Sequence, residues 1–314
     1  MGISITGTGA ALPERVLTND DLARVVDTSD EWITDRTGIR GRHILSEGES
    51  LTELGADAAS RALQAAGRTA GEVDLILVGT STSARRFPNM ACLIQNRIGA
   101  RNAVCMDISA ACTGFVFALT AAEGFLRAGG YRRALVIGAE AVTRHIDWTD
   151  RNTCVLFGDG AGAVLLESGT EIQGDILASA LGSDGSGGGF LTCASSGEKP
   201  YIHMNGQEIF RFAARRVPES IELARKRARI ALEEIDHFIL HQANIRLIEA
   251  IARRIGVPES KFPSNVSHTG NTSAASIPIL LDELCRSGEI RRGEILALSG
   301  FGGGLTWGTI IIRW

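Results

Sequence analysis

The chain has 314 residues, of which 44% are hydrophobic and 22% are charged, and its formal net charge is −4. A chain of this length can bury a large core in two domains or two fused halves. The charge balance argues against a nucleic-acid partner, and the apolar runs are too short to span a bilayer.

Strand-like and helix-like segments alternate along the chain, as in an α/β protein. Short apolar runs predict strands at 2–10, 72–80, 103–108, 134–139, 234–240, 295–298 and 309–314. Longer runs predict helices at 20–26, 51–66, 88–99, 115–125, from 206 onwards, 244–255 and 273–286. No basic segment of the signal-peptide type precedes the first strand.

Four local features carry specific expectations. Ser50 followed by Glu53 predicts a capping box at the start of a helix. Proline lacks the N–H that a helix interior needs, so Pro218 is expected to kink or end the helix from residue 206. The glycines within 155–167 predict two strands joined by a tight turn, and the glycine- and serine-rich stretch 182–200 predicts a loop.

Three pairs of segments resemble each other in the same order, about 160 residues apart, which indicates an internal repeat. The pairs are 72–77 with 234–239, 97–99 with 254–256, and 127–133 with 286–292. We therefore predict that one α/β unit is used twice, as an N-terminal half over 1–167 and a C-terminal half over 168–314. The repeat also predicts that Cys112 and Asn271 lie in equivalent strand-to-helix turns.

Cys112 follows an apolar run that ends at Ile108 and precedes a run of small and apolar residues from Phe115 to Phe125. This pattern predicts a strand, a tight turn and then a helix. The N–H groups and dipole at a helix N-terminus stabilise a thiolate, so we expect the pKa of Cys112 to fall from ~8.5 toward ~7. Cys112 is therefore a candidate nucleophile, and a buried structural cysteine is the alternative.

Two more polar residues are predicted at strand ends in the C-terminal half, where ligands of α/β sheets gather. His241 follows a repeated strand, and Asn271 follows Gly270. A core histidine and a turn asparagine are the structural alternatives. Taken together with Cys112, the three residues favour a catalytic set of nucleophile and hydrogen-bond donors.

These patterns resemble the 3-oxoacyl-[acyl-carrier-protein] synthase III family, the initiating condensing enzymes of type II fatty-acid synthesis. The resemblance runs essentially end to end. Its most specific motifs lie at 27–33, at the Cys112 turn, and at 157–162, 241–244 and 270–276. It implies an α/β protein with a thiolase-like fold, in which two duplicated halves form a five-layer αβαβα arrangement.

The resemblance implies a decarboxylating Claisen condensation. Cys112 takes a short acyl group from acyl-CoA, and His241 and Asn271 promote decarboxylation of malonyl-acyl-carrier protein. The products are 3-oxoacyl-carrier protein, CoA and CO2. The backbone N–H groups of Cys112 and Gly303 are expected to form the oxyanion hole. No cofactor is implied, because the CoA thioester and the carrier protein are substrates.

The resemblance also assigns substrate-binding residues. The expected CoA-binding residues are Thr28, Trp32, Arg36, Arg151, Phe210, Asn244 and Arg246, with Trp32 and Arg151 on either side of the adenine. In a homodimer, Phe87 is expected to bound the partner's acyl pocket. Such a pocket favours short starters of roughly two to five carbons, because a buried CH2 contributes only where room exists.

A local excess of basic residues lies between Arg211 and Arg229, in contrast to the net charge of the whole chain. A candidate surface for docking an acidic carrier protein comprises Arg211, Arg215, Arg246, Arg253 and Arg254. A solvated helix face is the alternative. The six cysteines form no metal-like cluster with histidine, which suits a reducing cytoplasm.

Other reactions remain open at this point. The same fold could serve an acyltransferase or a condensing enzyme of secondary metabolism, although a pure transferase needs no enolate. A biosynthetic thiolase needs a second cysteine where this chain has Ser299–Gly302. A Cys–His–Asn hydrolase would cleave thioesters without releasing CO2, and a non-catalytic partner subunit would not need the complete set.

Overall fold

A computed structural model describes residues 2–170, 172–194 and 201–314. Its strands are β1 (Gly2–Ala11), β2 (Val16–Thr18), β3 (Gly41–His43), β4 (Leu75–Gly79), β5 (Val104–Ile108), β6 (Arg133–Ala141), β7 (Asp159–Gly169), β8 (Asp175–Ser183), β9 (Leu191–Cys193), β10 (Ile202–Met204), β11 (His237–Leu240), β12 (Ile295–Gly302) and β13 (Thr306–Arg313). Its α-helices are α1 (Asn19–Leu22), α2 (Asp30–Thr37), α3 (Leu51–Ala65), α4 (Met90–Ile98), α5 (Gly114–Arg127), α6 (Arg151–Cys154), α7 (Gly206–Ala228), α8 (Ile245–Ile255), α9 (Val266–Thr269) and α10 (Ser276–Ser287).

The two larger sheets repeat one topology. The first has the order β1-β7-β6-β4-β5, with antiparallel β1–β7 and β7–β6 pairs and parallel pairing of β4 with both β6 and β5. The second has the order β8-β13-β12-β11, in which the first two pairs are antiparallel and the last is parallel. Strands 1, 7, 6 and 4 thus correspond to strands 8, 13, 12 and 11.

The helices complete five layers. Helices α5 and α10 lie between the two sheets, where Leu119 and Leu281 pack in one core with Leu77 of the first sheet and Leu298 of the second. Helices α3 and α4 cover the outer face of the first sheet, and α7 and α8 cover the outer face of the second. Full burial of each such leucine contributes about 1.5–3 kcal/mol. The predicted αβαβα arrangement is confirmed.

Equivalent turns lead into the two central helices. A single 3₁₀ turn precedes α5 and another precedes α10, and each contains a non-glycine residue with positive φ, Ala111 at 46° and Ser273 at 50°. By this correspondence Cys112 matches Ala274, and Asn271 lies earlier in its own turn. The two turns are equivalent, as the repeat predicted. Cys112 and Asn271 occupy different positions within them, because Cys112 follows the residue with positive φ and Asn271 precedes it.

The glycines near residue 160 do not form a turn, so that expectation is wrong. β7 is one continuous strand that pairs with β1 on one side and β6 on the other. A Cβ on Gly162 would lie 2.7 Å from the backbone nitrogen of Ile279 in α10, and one on Gly160 would lie 3.0 Å from the Ile279 side chain. These glycines let α10 approach the sheet closely.

Three further local expectations, at Pro218, at Ser50 and over 182–200, differ from the structure at least in part. The expectation that Pro218 could end the helix is wrong, because the helix from residue 206 continues to Ala228 and burial of Val217 and Ile221 against the second sheet outweighs the lost hydrogen bond. Ser50 caps α3 by accepting from the Thr52 backbone N–H, while Glu53 forms an ion pair instead of completing a capping box.

The stretch 182–200 is only partly a loop. It contains the end of β8, a 3₁₀ segment at Gly185–Phe190 and the short strand β9. Residues 195–200 lie outside the described residues. Across the described ranges, none of the helices combines the length and apolar character that crossing a membrane requires.

Candidate active site

Cys112, His241 and Asn271 line one cavity of about 90 Å³. Cys112 lies in the turn before α5, His241 follows β11 directly, and Asn271 lies in the turn before α10. Their side chains are almost fully buried, with relative exposures of 7%, 1% and 6%. The repeated fold thus brings the three sequence-predicted residues to one place from both halves of the chain.

The Cys112 thiol is held in its neutral form. Burial raises its pKa to about 12, and the charge of Glu140 raises it too, while hydrogen bonds from Ser273 and from the backbone N–H of Cys112 lower it. The expected lowered pKa is therefore wrong. The free energy needed to remove the thiolate from water exceeds the stabilisation that a helix N-terminus provides. The helix is also slightly displaced from the sulfur, because α5 begins only at Gly114.

His241 is fixed in orientation and uncharged. Its backbone N–H donates to the Ser299 carbonyl at 2.8 Å, its Nδ1 lies 2.7 Å from the Ser276 hydroxyl, and its ring packs edge-on against Phe301. Burial lowers the imidazole pKa to about 3. At neutral pH the ring is therefore a neutral donor and acceptor, with Nδ1 committed to Ser276.

The backbone and side chain of Asn271 are both tied to the turn. Its N–H donates to the Leu156 carbonyl at 2.9 Å, and its carbonyl accepts from Gly158 at 3.0 Å. The side-chain Oδ1 accepts the backbone N–H of Ser273 at 2.9 Å. Since the oxygen is engaged within the turn, the amide NH2 is the end that Asn271 offers to the cavity.

Gly302, at the end of β12, gives access to the backbone N–H of Cys112. A Cβ on Gly302 would lie 2.8 Å from the Cys112 nitrogen and 3.1 Å from its Cβ. Gly302 lines the cavity, whereas a Cβ on the next residue, Gly303, would approach Leu191 instead. The glycine run 302–304 is the sequence signal for this close approach, although only Gly303 of this run was predicted to take part in the site.

Two outer cavities adjoin the inner cavity and share lining residues with it, and we call the three together the channel. Asn244 lines the inner cavity and both outer ones, of about 1030 and 480 Å³. Arg36 and Arg246 line both outer cavities, and Phe210 lies between the inner cavity and the smaller outer one. Four of the residues predicted to bind CoA therefore surround one path to Cys112.

Comparison with known proteins identifies the family. Models of 3-oxoacyl-[acyl-carrier-protein] synthase III match residues 106–185 and, for the C-terminal part, 226–314. The beta-ketoacyl-[acyl-carrier-protein] synthase III of Geobacillus kaustophilus is 48% identical over 314 residues, which cover 100% of this chain and 99% of that protein. The chain belongs to the beta-ketoacyl-[acyl-carrier-protein] synthase III family.

Solved structures agree with this assignment. The crystal structure of 3-oxoacyl-[acyl-carrier-protein] synthase III from Aquifex aeolicus has a TM-score of 0.96 and 45% identity, and covers 100% of both chains. The priming beta-ketosynthase of the R1128 polyketide pathway has a TM-score of 0.93 and 36% identity, over 99% of this chain and 96% of that one. The chain is therefore an acyltransferase with a thiolase-like fold, a condensing enzyme of fatty-acid biosynthesis.

The remaining predicted CoA-binding residues cluster beside the larger outer cavity, which Arg36 lines. The guanidinium of Arg36 lies 4.4 Å from the Trp32 ring centroid and that of Arg151 lies 4.7 Å from it. Arg151 also donates to the Asp27 carbonyl at 2.8 Å, and the neighbouring Thr28 hydroxyl is buried without a partner. A flat base stacked between Trp32 and Arg151 would need about 3.5–4 Å on each of its faces, which is more than the 4.7 Å that separates the two groups. Arg151 must therefore move before a base can bind between them.

Phe87 does not line the inner cavity of its own chain. Its side chain is 84% exposed, in the loop between β4 and α4. It therefore bounds no acyl pocket within one subunit, and the sequence-based expectation that it acts on a partner stays a prediction.

The five arginines of the candidate docking surface lie on α7 and α8 and are exposed. Arg211 pairs with Glu208 at 2.7 Å, and Arg253 lies 3.8 Å from Glu249 and 3.6 Å from Glu259. Arg246 and Arg253 line the channel mouth. Part of the basic charge is thus offset by neighbouring carboxylates.

Four residues close to the site were missed by sequence reasoning: Glu140, Gly302, Ser273 and Ser276. The two serines lie in the motif 270–276, where only Asn271 was given a role. Over the described ranges, no group of three or more His, Cys, Asp and Glu residues is arranged to hold a metal ion.

Proposed function

We propose that this protein joins a short acyl group from acyl-CoA to malonyl-acyl-carrier protein with loss of CO2, and so initiates type II fatty-acid synthesis. The observation that carries the proposal is the shared cavity of Cys112, His241 and Asn271, which is part of the channel lined by Arg36 and Arg246. The thioesters are substrates, and the proposed chemistry uses no further cofactor.

In the first half-reaction, the sulfur of Cys112 attacks the thioester carbon of acyl-CoA. The carbonyl oxygen becomes an oxyanion, which backbone N–H groups stabilise. Gly302 supports this step, because its missing side chain leaves the Cys112 N–H accessible. We assign the second donor to the backbone N–H of Gly303. Expulsion of the CoA thiolate leaves the acyl group on Cys112.

In the second half-reaction, malonyl-carrier protein loses CO2 and becomes an enolate with its charge on the thioester oxygen. The NH2 of Asn271 and the Nε2–H of His241 donate to this oxygen. Ser276 supports that tautomer: its hydroxyl oxygen accepts the Gln242 backbone N–H at 3.4 Å, and its hydrogen can be donated to His241 Nδ1. The enolate carbon then attacks the acyl group and releases Cys112.

The channel supports CoA as the acyl donor. Arg36 and Arg246 can form charge-assisted hydrogen bonds with phosphate groups at its mouth. Trp32 offers a ring face for the adenine once Arg151 moves aside, and the unpartnered Thr28 hydroxyl is available to the same ligand. Arg246 and Arg253 of α8 line this mouth and are exposed, which favours docking of an acidic carrier protein there.

We also propose that the enzyme is a cytoplasmic homodimer. β5 lies at an edge of the first sheet, and its residue Val104 is exposed. Phe87, in the loop between β4 and α4, is exposed as well. Pairing of β5 with its copy would cover this edge and let Phe87 reach the partner's acyl pocket. None of the six cysteines, all of which lie in the described ranges, forms a disulfide, in keeping with a reducing compartment.

The experiment that tests the function is intact-protein mass spectrometry after incubation with a panel of acyl-CoAs. We expect one acyl group per chain with short starters, and none on Cys112→Ser. Cys154→Ala is the matched control, since Cys154 is also buried and free but lies outside the cavity lining. Acylation of Cys112→Ser at the wild-type rate would contradict the proposal. Acylation without CO2 release from malonyl-carrier protein would indicate an acyltransferase with another acceptor.

A further inference from the structure

Glu140, on β6, is a fully buried carboxyl group behind the active-site turns. Its Oε2 accepts the Ser81 backbone N–H at 3.1 Å and the hydroxyls of Thr82 at 2.5 Å and Thr80 at 3.4 Å. Its Oε1 accepts the Ser273 hydroxyl at 3.1 Å. Among the described residues no cation pairs with it, so neutral donors alone stabilise its charge.

Ser273 connects this carboxyl group to the active site. Its hydroxyl also acts as a hydrogen-bond partner of Cys112, and its backbone N–H donates to Asn271 Oδ1. The two active-site turns pack on each other, and β6 packs directly beneath the Ser273 turn through the contact of Gly138 with Ala274. The Ser273 hydroxyl is thus a hydrogen-bond partner of both Cys112 and Glu140.

Each of these two groups disfavours a negative charge on the other. Burial raises the pKa of Glu140 to about 7, so the carboxylate and the acid are both populated near neutral pH. The charge of Glu140 also raises the pKa of Cys112, the titratable group across the turn. Loss of the thiol proton to solvent would place two negative charges in one buried site, whereas its transfer to Glu140 moves a single charge.

We propose that Glu140 accepts the thiol proton of Cys112 through the hydroxyl of Ser273 as Cys112 is acylated. The Cys112 S–H bond breaks as its proton moves to Ser273 Oγ, and the Ser273 O–H bond breaks as its proton moves to Glu140 Oε1. The electrons left on the sulfur form the bond to the acyl carbon. When CoA leaves with the electrons of its C–S bond, the proton returns through Ser273 to the CoA sulfur. This inference rests on the proposed use of acyl-CoA.

The test is the single-turnover rate of Cys112 acylation between pH 5 and 9, measured by rapid quench and intact mass. The wild-type rate should rise with a midpoint near the Glu140 pKa, about 7. Glu140→Gln should lose this midpoint and slow acylation by about 10²–10⁴, the usual contribution of a general base. Ser273→Gly should behave alike, because glycine tolerates the positive φ but lacks the hydroxyl. Glu140→Asp should restore part of the rate and the midpoint.

Two controls separate proton transfer from loss of structure. Glu167→Gln removes a buried carboxylate at the other end of the same sheet, where it pairs with Arg68 and Arg133, and should keep the wild-type midpoint. Glu140→Gln and Ser273→Gly should retain CO2 release when the enzyme is acylated beforehand, since the backbone N–H that holds Asn271 remains.

Alkylation by iodoacetamide separates failure of this inference from failure of the proposed function. If no acyl-CoA modifies the wild type, the proposed function fails. The pH midpoint of the alkylation rate of Cys112 still tests proton transfer through Ser273 to Glu140 in that case. Unchanged rates and midpoints in both Glu140→Gln and Ser273→Gly would overturn the inference. If Glu140→Gln does not fold, Ser273→Gly alone decides between these results.

Discussion

The Ser276 hydroxyl lies 2.7 Å from Nδ1 of His241, and both residues are buried. Ser276 is the first residue of α10, and His241 follows β11, so the central helix layer orients a side chain of the second sheet. Since burial keeps the imidazole neutral, this bond decides which ring nitrogen carries the hydrogen. It makes Ser276 a positioning residue for the donor on Nε2.

Replacing Ser276 with alanine should slow CO2 release about two- to tenfold, the effect of losing one buried hydrogen bond. The acylation rate of Cys112 should change less, because that step does not depend on the imidazole. Radiolabelled CO2 release and acyl mass measure the two steps. Ser220→Ala is the control, as it removes a buried serine whose hydroxyl bonds the Ala180 carbonyl on the outer face of the second sheet. Equal loss in both variants would argue against a positioning role.

His241 should remain neutral down to about pH 4, because burial lowers its pKa to about 3. His268 is the internal reference, since Glu283 raises the pKa of that imidazole above 6.5. The unfolded chain protonates near pH 6.5 at position 241, so this residue reduces folding stability progressively as the pH falls from 6.5 toward 3. Ring NMR signals of the two histidines between pH 8 and 5 check this. A midpoint near 6.5 for His241 would contradict its neutral state.

Gly302→Ala should reduce the acylation rate of Cys112 by about 10²–10³, the cost of losing one oxyanion donor. The added Cβ would lie 2.8 Å from the Cys112 nitrogen and obstruct its N–H. Gly303→Ala is the matched control, because it keeps the backbone N–H and directs its Cβ toward Leu191. The measurement is the rate at which acyl mass appears. Similar acylation rates in both variants would mean that the missing side chain of Gly302 is not needed for access to the Cys112 N–H.

Trp32→Ala should raise KM for acyl-CoA about three- to thirtyfold and leave kcat nearly unchanged, because stacking binds substrate and transition state alike. Arg151→Ala should have a smaller effect, since that residue must leave the Trp32 ring before a base can stack there. Arg24→Ala removes an exposed arginine paired with Asp21 and serves as the control. Steady-state kinetics with varied acyl-CoA measures all three. A loss of kcat without a change in KM would place Trp32 outside the CoA site.

The architecture was predictable because its signals are local or periodic. The similar strand patterns at 72–77 and 234–239 predicted the duplicated unit. The small residues around Cys112 predicted the strand-to-helix turn. Both depend on hydrophobic pattern and turn chemistry, which a sequence displays directly. The glycines near residue 160 misled for the opposite reason, since their role is set by contact with α10, which is distant in the chain.

The electrostatics of the site could not be predicted from the sequence. A helix N-terminus favours a thiolate at Cys112, but the sequence does not show how completely the turn is buried, and burial reverses the direction of the pKa shift. Glu140 lies in a strand-like run, where a charged residue is normally exposed. Only the fold places it behind Ser273.

The measurement that most directly tests the assigned roles is paired analysis of His241→Ala and Asn271→Ala. Each variant is assayed for acyl mass on Cys112 and for radiolabelled CO2 release from malonyl-carrier protein. Both variants should still be acylated, and the rate of CO2 release should fall by about 10²–10³ in each, since each removes one donor to the enolate oxygen. Full loss of acylation in His241→Ala would make His241 the base for Cys112. Unchanged CO2 release in both variants would remove the two residues from the mechanism.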